Sequence, residues 1–431
     1  MKKLLLCLMA LFVIIPTSLA QDETPVISPT LIENLDTIEA QTAELRGLAA
    51  LQPVTRLFPN RQAVIDFVTA DINEQLDQQT AFEELQFYRA FDFVDAPLDL
   101  LDVYTTLIGS QVAGFYDPDT QEMNVLLISG DTLGDELPLL ESITYSHEFV
   151  HALQDQHFDL AAFFTEFAES EGMDNPDEII ARQSLVEGDA TLVMQDYTLQ
   201  AVMDNPMGAL ALLDPDLLAA AEIPAGTPFI LEAELTFPYI TGMEFVTALR
   251  DAGGWDLVNA AYTENPPEST EHILHPERYL AGDSPLSVTV TSGLDTLGDG
   301  WVFVFERTLG EFYLRQYLGT QIGRGVLNAA ATGWGGDRFQ LYYNDANDER
   351  AWILHLVMDT PEDATEFATT FGQFASLRSG GTVANESPAG MACALNAVQE
   401  TLCYTSDGGN GLYIAFAPSM DDAAALINAQ G

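Results

Sequence analysis

The segment His147-Glu148-Phe149-Val150-His151 sets two histidines four positions apart, with a glutamate directly after the first. On a helix, positions i and i+4 share a face, so both imidazoles can reach one divalent cation. Glu148 then projects beside them, where a carboxylate can take a proton from a metal-activated water. Only six histidines occur in 431 residues, so this spacing points to metal chemistry and not to composition. A catalytic zinc further requires a third protein ligand and an open fourth position.

Two residues compete for the third ligand. Glu187, within Ser184-Leu185-Val186-Glu187-Gly188-Asp189-Ala190, sits on the next helical stretch and would complete a His₂Glu set. His157 stands ten residues after His147, the spacing of the last histidine in the longer motif HExxHxxGxxH. There, however, Gln154 replaces the glycine that turns the chain out of the helix. Glu187 is the expected ligand and His157 the alternative, with Met173 as the methionine such a longer motif would use. Asp155 or Asp189 is expected to orient a ligand imidazole. A donor for a developing oxyanion is sought in His275, ahead of Pro276, and next in Tyr279, with a packing role for His275 left open. No phosphate-binding glycine loop, serine elbow or clustered-cysteine metal site accompanies them.

With these residues the chain resembles the gluzincin metallopeptidases of the zincin clan. The resemblance rests on His147 to His151 and on Glu187-Gly188-Asp189-Ala190. It is supported by Gly114-Phe115-Tyr116-Asp117-Pro118 ahead of the motif, and covers about residues 60 to 280. It implies one Zn²⁺ per chain on His147, His151 and Glu187, and a peptide or protein substrate. Glu148 would be the general base that passes its proton to the leaving amine.

The elements that must position these residues are legible in the apolar spacing. Leu140, Ile143 and Val150 predict a helix from Leu139 to about Phe164, and a second runs from Glu178 to about Met203. Gln111–Tyr116 and Met123–Leu127 read as a hairpin whose proline presets the turn. Asp117, Asp119 and Glu122 therefore fit a turn better than a calcium loop. Met123–Leu127 is either an edge open to an extended peptide or core sheet. Residues 21–60 read as a linker or short helix around Leu31, Leu35, Ile38 and Leu45, which could cover a latent site; residues 61–107 read as two or three helices. Beyond a boundary near residue 285, Leu286–Thr291 and Trp301–Phe305 read as strands. Gly333-Trp334-Gly335-Gly336-Asp337 reads as a turn. Trp352–Met358 and Leu412–Ala417 each lead into a capped, acidic helix start, as in two related ββα units. The fold class is α+β: a mainly helical domain with a small sheet over 61–284, then an α+β accessory domain over 285–431.

Composition bounds the partners. With 66 acidic against 15 basic side chains and a formal charge of −51, the surface repels phosphate backbones and anionic lipid heads, which argues against nucleic acid. An apolar content of 47% supports a real core, and no apolar run suits an integral membrane span. Lys2 and Lys3, the apolar run Leu4–Ile15, and Ser18-Leu19-Ala20 read as a signal peptide over 1–20, cleaved after Ala20, in a secreted or extracytoplasmic protein. In that compartment Cys393 and Cys403 are expected to bridge. Oligomeric state is not legible.

Overall fold

The computed structural model describes residues 27–95, 97–128, 133–170, 175–214, 222–381 and 387–431; the expected signal peptide and Met173 lie outside the described residues. The chain divides into two compact units. The first takes in 1–81, 98–170 and 181–267, and the second 82–97, 171–180 and 268–431. The last and longest segment of the second unit thus begins at Glu268, ahead of the expected boundary near 285. The reason is local: the Thr270 hydroxyl and N–H donate to Asp177, and Phe312 N–H donates to the Thr270 hydroxyl at 3.0 Å.

In the first unit α1 (Pro29–Arg46) starts at Ser28, whose hydroxyl accepts from Leu31 N–H, and stops at Gly47 with φ 73°. Its Leu31, Leu35 and Ile38 enter one core with Tyr145, Phe149 and Leu153 of α5 (Leu139–Phe158). This helix is therefore core and not a cover: removing it would strip apolar contacts from α5 instead of uncovering a site. α2 (Arg61–Gln75) and α4 (Leu100–Gln111) pack together, capped by Asn60 and Asp99. α3 (Gln78–Ala90) lies between them in sequence, its residues from Phe82 on belonging to the second unit.

A three-stranded sheet runs β1 (Thr55–Leu57), β3 (Glu122–Val125), β2 (Gly114–Asp117). Because β3 pairs with β1 on one side and β2 on the other, it offers no free edge; the edges are β1 and β2. Asp117 Oδ1 accepts from the N–H groups of Asp119 and Thr120, which closes the expected turn.

α5 ends at Phe158, short of the expected Phe164, because Asp159 adopts φ 53° and redirects the chain into α6 (Leu160–Ser170). α7 (Pro176–Asp204) follows, its residues from Ala181 on lying in the first unit. α8 (Phe229–Thr263) then runs to a kink at Gly254 and beyond. Among the described residues no helix is long and apolar enough to cross a membrane.

The second unit opens with two short helices, α9 (Thr270–Leu274) and α10 (Pro276–Ala281). Six strands then form one sheet: β4 (Trp301–Arg307), β5 (Trp334–Asn344), β6 (Glu349–Met358), β7 (Ala392–Leu395), β8 (Thr401–Ser406) and β9 (Gly411–Ala417). Their order is β4-β5-β6-β9-β8-β7, with β6 and β9 antiparallel at the centre. α11 (Gly310–Gly319) and α12 (Arg324–Ala331) join β4 to β5. Each half of the sheet ends in a helix capped by a hydroxyl, α13 (Pro361–Arg378) by Thr360 and α14 (Met420–Asn428) by Ser419. The sheet is thus two groups of three strands and a helix, one strand larger in each half than the expected ββα. Cys393 and Cys403 face each other across β7 and β8 and are bridged.

Two local expectations change here. Leu286–Thr291 is not a strand: Leu286 N–H donates to Gly335 O, and the Gln430 side chain satisfies Thr291, so no ladder forms. Gly333–Asp337 is not a plain turn but the bulged start of β5. A Cβ at Gly336 would stand 2.4 Å from Leu286 O, so its glycine permits this backbone approach.

Candidate metal centre

α5 carries His147, Glu148 and His151 on its buried face, and α7 carries Glu187; all four are buried. The two imidazole Nε2 atoms lie 3.1 Å apart, and Glu187 Oε2 lies 3.3 Å from His147 Nε2 and 3.5 Å from His151 Nε2. Ligand atoms bound about 2.0–2.2 Å from a tetrahedral zinc stand roughly 3.3–3.6 Å from one another. The two Glu187 separations fall in that range and the imidazole pair, at 3.1 Å, stands just short of it, so the trio is close to the spacing one such ion requires. Among the described residues these three form the group able to hold a metal.

Charge points the same way. Burial alone would push the Glu187 carboxyl up, but His151 and His147 outweigh it and pull the pKa down to about 2. Burial alone would lower His151, yet the Glu187 charge and hydrogen bond raise it to about 9. A carboxylate and two imidazoles packed this way call for positive charge, and a divalent cation supplies it without a proton.

The neighbours fix the orientation of each group. Gln154 Nε2 faces Val186 O, Asp189 Oδ2 and the Tyr262 hydroxyl, each at 3.0 Å, so its carbonyl oxygen must face His151. That oxygen lies 2.9 Å from His151 Nδ1, which makes Nδ1 the protonated nitrogen and turns the Nε2 lone pair toward Glu187 and His147. Asp189 in turn meets buried Arg46 of α1, Nε to Oδ1 at 2.7 Å, and Arg46 also donates to Asn259.

Glu148 lies against β2. The Tyr116 backbone N–H donates to its carboxylate, Oε2 has no hydrogen-bond partner, and burial pushes its pKa above the ordinary value. Gly114 makes this approach possible, since a Cβ there would stand 3.0 Å from Glu148 Cγ and 2.9 Å from Asn124 O. A second glycine pair brings α8 to α7: a Cβ on Gly188 would stand 2.2 Å from the Gly242 carbonyl carbon. This contact delivers Tyr239, whose ring stacks on His147 at 6.0 Å between centroids. Burial, then the charges of Glu187 and Glu148, hold its phenol pKa well above the usual range, so it remains a hydrogen-bond donor. His147, Glu148 and Tyr239 together line a cavity of about 400 Å³.

The structure thus brings His147, Glu148, His151 and Glu187 together. His157 is not with them: its Nε2 lies 2.8 Å from Ala49 O, and α5 passes through Gln154 without the turn the longer motif requires. Asp155 accepts from the Tyr116 hydroxyl and Leu160 N–H instead of orienting an imidazole, and Asp189 acts on His151 only through Gln154. His275 belongs to the second unit, with its Nε2 3.2 Å from Glu311 and 3.2 Å from Arg315; Tyr279 is buried there beside His272. Sequence reading did not find Gln154, Tyr239 or Arg46. The one available signal was the glycine in mid-helix at 188 and again at 242, which marks close helix packing.

Residues 302–427 match a family model described as a domain of unknown function (DUF8575). The match falls within the second unit and spans its sheet. No curated protein and no solved structure matches the chain.

Proposed function

We propose that this chain is an exported zinc-dependent peptidase, with one zinc held by His147, His151 and Glu187. The observation that carries the reading is the convergence of His147 Nε2, His151 Nε2 and Glu187 Oε2 beside Glu148, with His147 and Glu148 themselves lining a cavity. Zinc bound there would act as a Lewis acid toward a peptide carbonyl and make water acidic enough to attack at neutral pH. Glu148 accepts the proton of the attacking water and returns it to the leaving amine. Its buried position raises its proton affinity toward the range a general base needs. Tyr116 N–H holds one Glu148 oxygen and leaves Oε2 for that transfer. The Tyr239 hydroxyl, whose proton is directed at Glu187 in this structure, would turn to donate to the carbonyl oxygen as charge develops, the role for which the sequence offered His275. The cavity beside His147 and Glu148 supports a catalytic rather than a closed structural zinc, because a substrate could approach the group from that side. Export is supported by the Cys393–Cys403 bridge.

The test uses the purified chain, stripped and reloaded with zinc. About one zinc per chain and peptide hydrolysis that a chelator abolishes are expected, with Glu148→Gln keeping its zinc but losing turnover by about 10²- to 10⁴-fold. Full turnover in Glu148→Gln at equal zinc content would defeat the mechanism.

A further inference from the structure

We infer that Arg46, the last residue of α1, is a positioning residue for the metal centre: it holds Asp189, Asp189 holds the Gln154 amide, and the amide turns His151 Nε2 toward the cation. The inference rests on His147, His151 and Glu187 being the zinc ligands. Gln154 is the link that sets direction. Its amide can offer either oxygen or nitrogen to His151 Nδ1, and only the oxygen keeps the ring proton on Nδ1. That choice is made at the far side of the amide, where Nε2 donates at 3.0 Å to Val186 O and to Asp189 Oδ2. Of these two acceptors Asp189 is the charged one, and a charge-assisted bond is the stronger. The Tyr262 hydroxyl, 3.0 Å from Gln154 Nε2 and from Asp189 Oδ2, can donate or accept and so does not decide the orientation.

Arg46 is what keeps that charge in place. Both Arg46 and Asp189 are fully buried, with Nε 2.7 Å from Oδ1, and Nη2 donates to Asn259 Oδ1 at 2.9 Å. The guanidinium lies over the Trp255 ring at 4.4 Å, and among the described residues its Nη1 has no hydrogen-bond partner. Gly47, which ends α1 at φ 73°, permits this arrangement, since a Cβ there would stand 3.1 Å from Trp255 Cδ1. A buried ion pair with one nitrogen unbonded is a poor source of stability, because desolvation offsets most of the attraction. Its position accounts for it better. Without the guanidinium, Asp189 would be a buried charge held by two neutral donors, Gln154 and Tyr262, and would no longer anchor the amide.

Charge and position give opposite signs. As a charge alone Arg46 repels a divalent cation, so Arg46→Met would tighten zinc binding; as a positioning group its loss weakens it. The experiment is zinc affinity of the full chain by chelator competition, for the wild type, Arg46→Met, Gln154→Leu and the double variant. Arg46→Met should weaken zinc about tenfold, the low end for a residue behind a ligand, because Val186 O still accepts from Gln154. On the Gln154→Leu background the same substitution should cost nothing more, since the link it acts through is already gone. Tighter or unchanged binding in Arg46→Met, or losses that multiply in the double variant, would overturn the proposal and leave the zinc ligands and the peptidase reading standing. A wild type that binds no zinc would overturn both.

If Arg46→Met does not fold, Arg46→Lys carries the same test: it keeps the charge but not the guanidinium fork, so position predicts weaker zinc where charge alone predicts no change. Leu35→Ala separates positioning from packing, because Leu35 is a core residue of α1 without a part in the polar chain. It should lower the urea midpoint and leave zinc affinity unchanged; equal weakening there would reduce Arg46 to a fold contact and overturn the proposal. With the six histidines labelled with ¹⁵N, the zinc-loaded protein supplies a spectroscopic check. The His151 Nδ1 proton should exchange with solvent faster in Arg46→Met than in the wild type, and equal exchange would count against the chain of contacts.

Discussion

In the first unit His147, His151 and Glu187 meet with no arginine among them, whereas in the second His275 meets Glu311 in the company of Arg315. Arg315 also pairs with Glu311 directly, and Arg278 pairs with Glu271, Asp283 and Asp359. Histidine and buried carboxylate are common to both groups. What separates them is a permanent cation: the guanidinium groups neutralise the second group, which then has no need of a metal. The first holds its charge on imidazole and carboxylate alone. Arg46, which reaches this region through Asp189, is paired with Asp189 and Asn259. A buried acid beside histidine is thus evidence for a metal only where no arginine stands with it.

The contrast can be broken by variants in either group. The largest effect should follow from Glu187→Ala, His147→Ala or His151→Ala, each of which should reduce zinc after dialysis to background, while His157→Ala keeps one zinc per chain; elemental analysis decides. Next, Arg315→Met should destabilise the protein by about 3 kcal/mol in urea unfolding, because Glu311 would remain buried without its cation. Zinc content should not change; zinc lost along with Arg315 would erase the distinction between the groups. Third, Gln154→Leu should keep the fold but weaken zinc binding about 10- to 100-fold in chelator competition, since His151 would lose the acceptor that fixes its tautomer. Unchanged affinity would mean that His151 orients without Gln154.

A fourth prediction concerns pH dependence. Burial, only partly offset by Arg278, pushes the Glu271 carboxyl up from its ordinary value to about 9. Between pH 4.5 and 9 the folded state keeps a proton that the unfolded state releases, so stability falls as pH rises through this window. Asp337, raised by burial to about 6, adds a fall of the same sign between pH 3.8 and 6. Thermal melting across pH should show the decline in the wild type and a flatter curve in Glu271→Gln; identical curves would contradict the assignment.

Much of the His147–His151–Glu187 group was legible because its logic is local. A helix of period 3.6 aligns His147 with His151, and Glu187 has the right chemistry on a later helix, α7. What was not legible depended on approach through space. Gln154 looked like a defect in a longer histidine motif, and its actual partner, Asp189, lies 35 residues on. Tyr239 and Arg46 reach their neighbours only because Gly188 lets α8 approach and because α1 packs against α5. The setting of His275 was not legible because Glu311 and Arg315 come from a helix 36 and 40 residues away. In the second unit Leu286, Val288 and Val290 alternate as a strand would, yet no strand pairs with them, so period alone was insufficient. The two hydroxyl caps, Thr360 and Ser419, were legible because capping needs only the next three residues.

The most direct test is diffraction from zinc-loaded crystals recorded at the zinc absorption edge. A single anomalous peak per chain is predicted, about 2.0–2.2 Å from His147 Nε2, His151 Nε2 and a Glu187 oxygen, and facing the cavity with no fourth protein ligand. No peak among these atoms, or a peak closed off by a further side chain, would contradict the account.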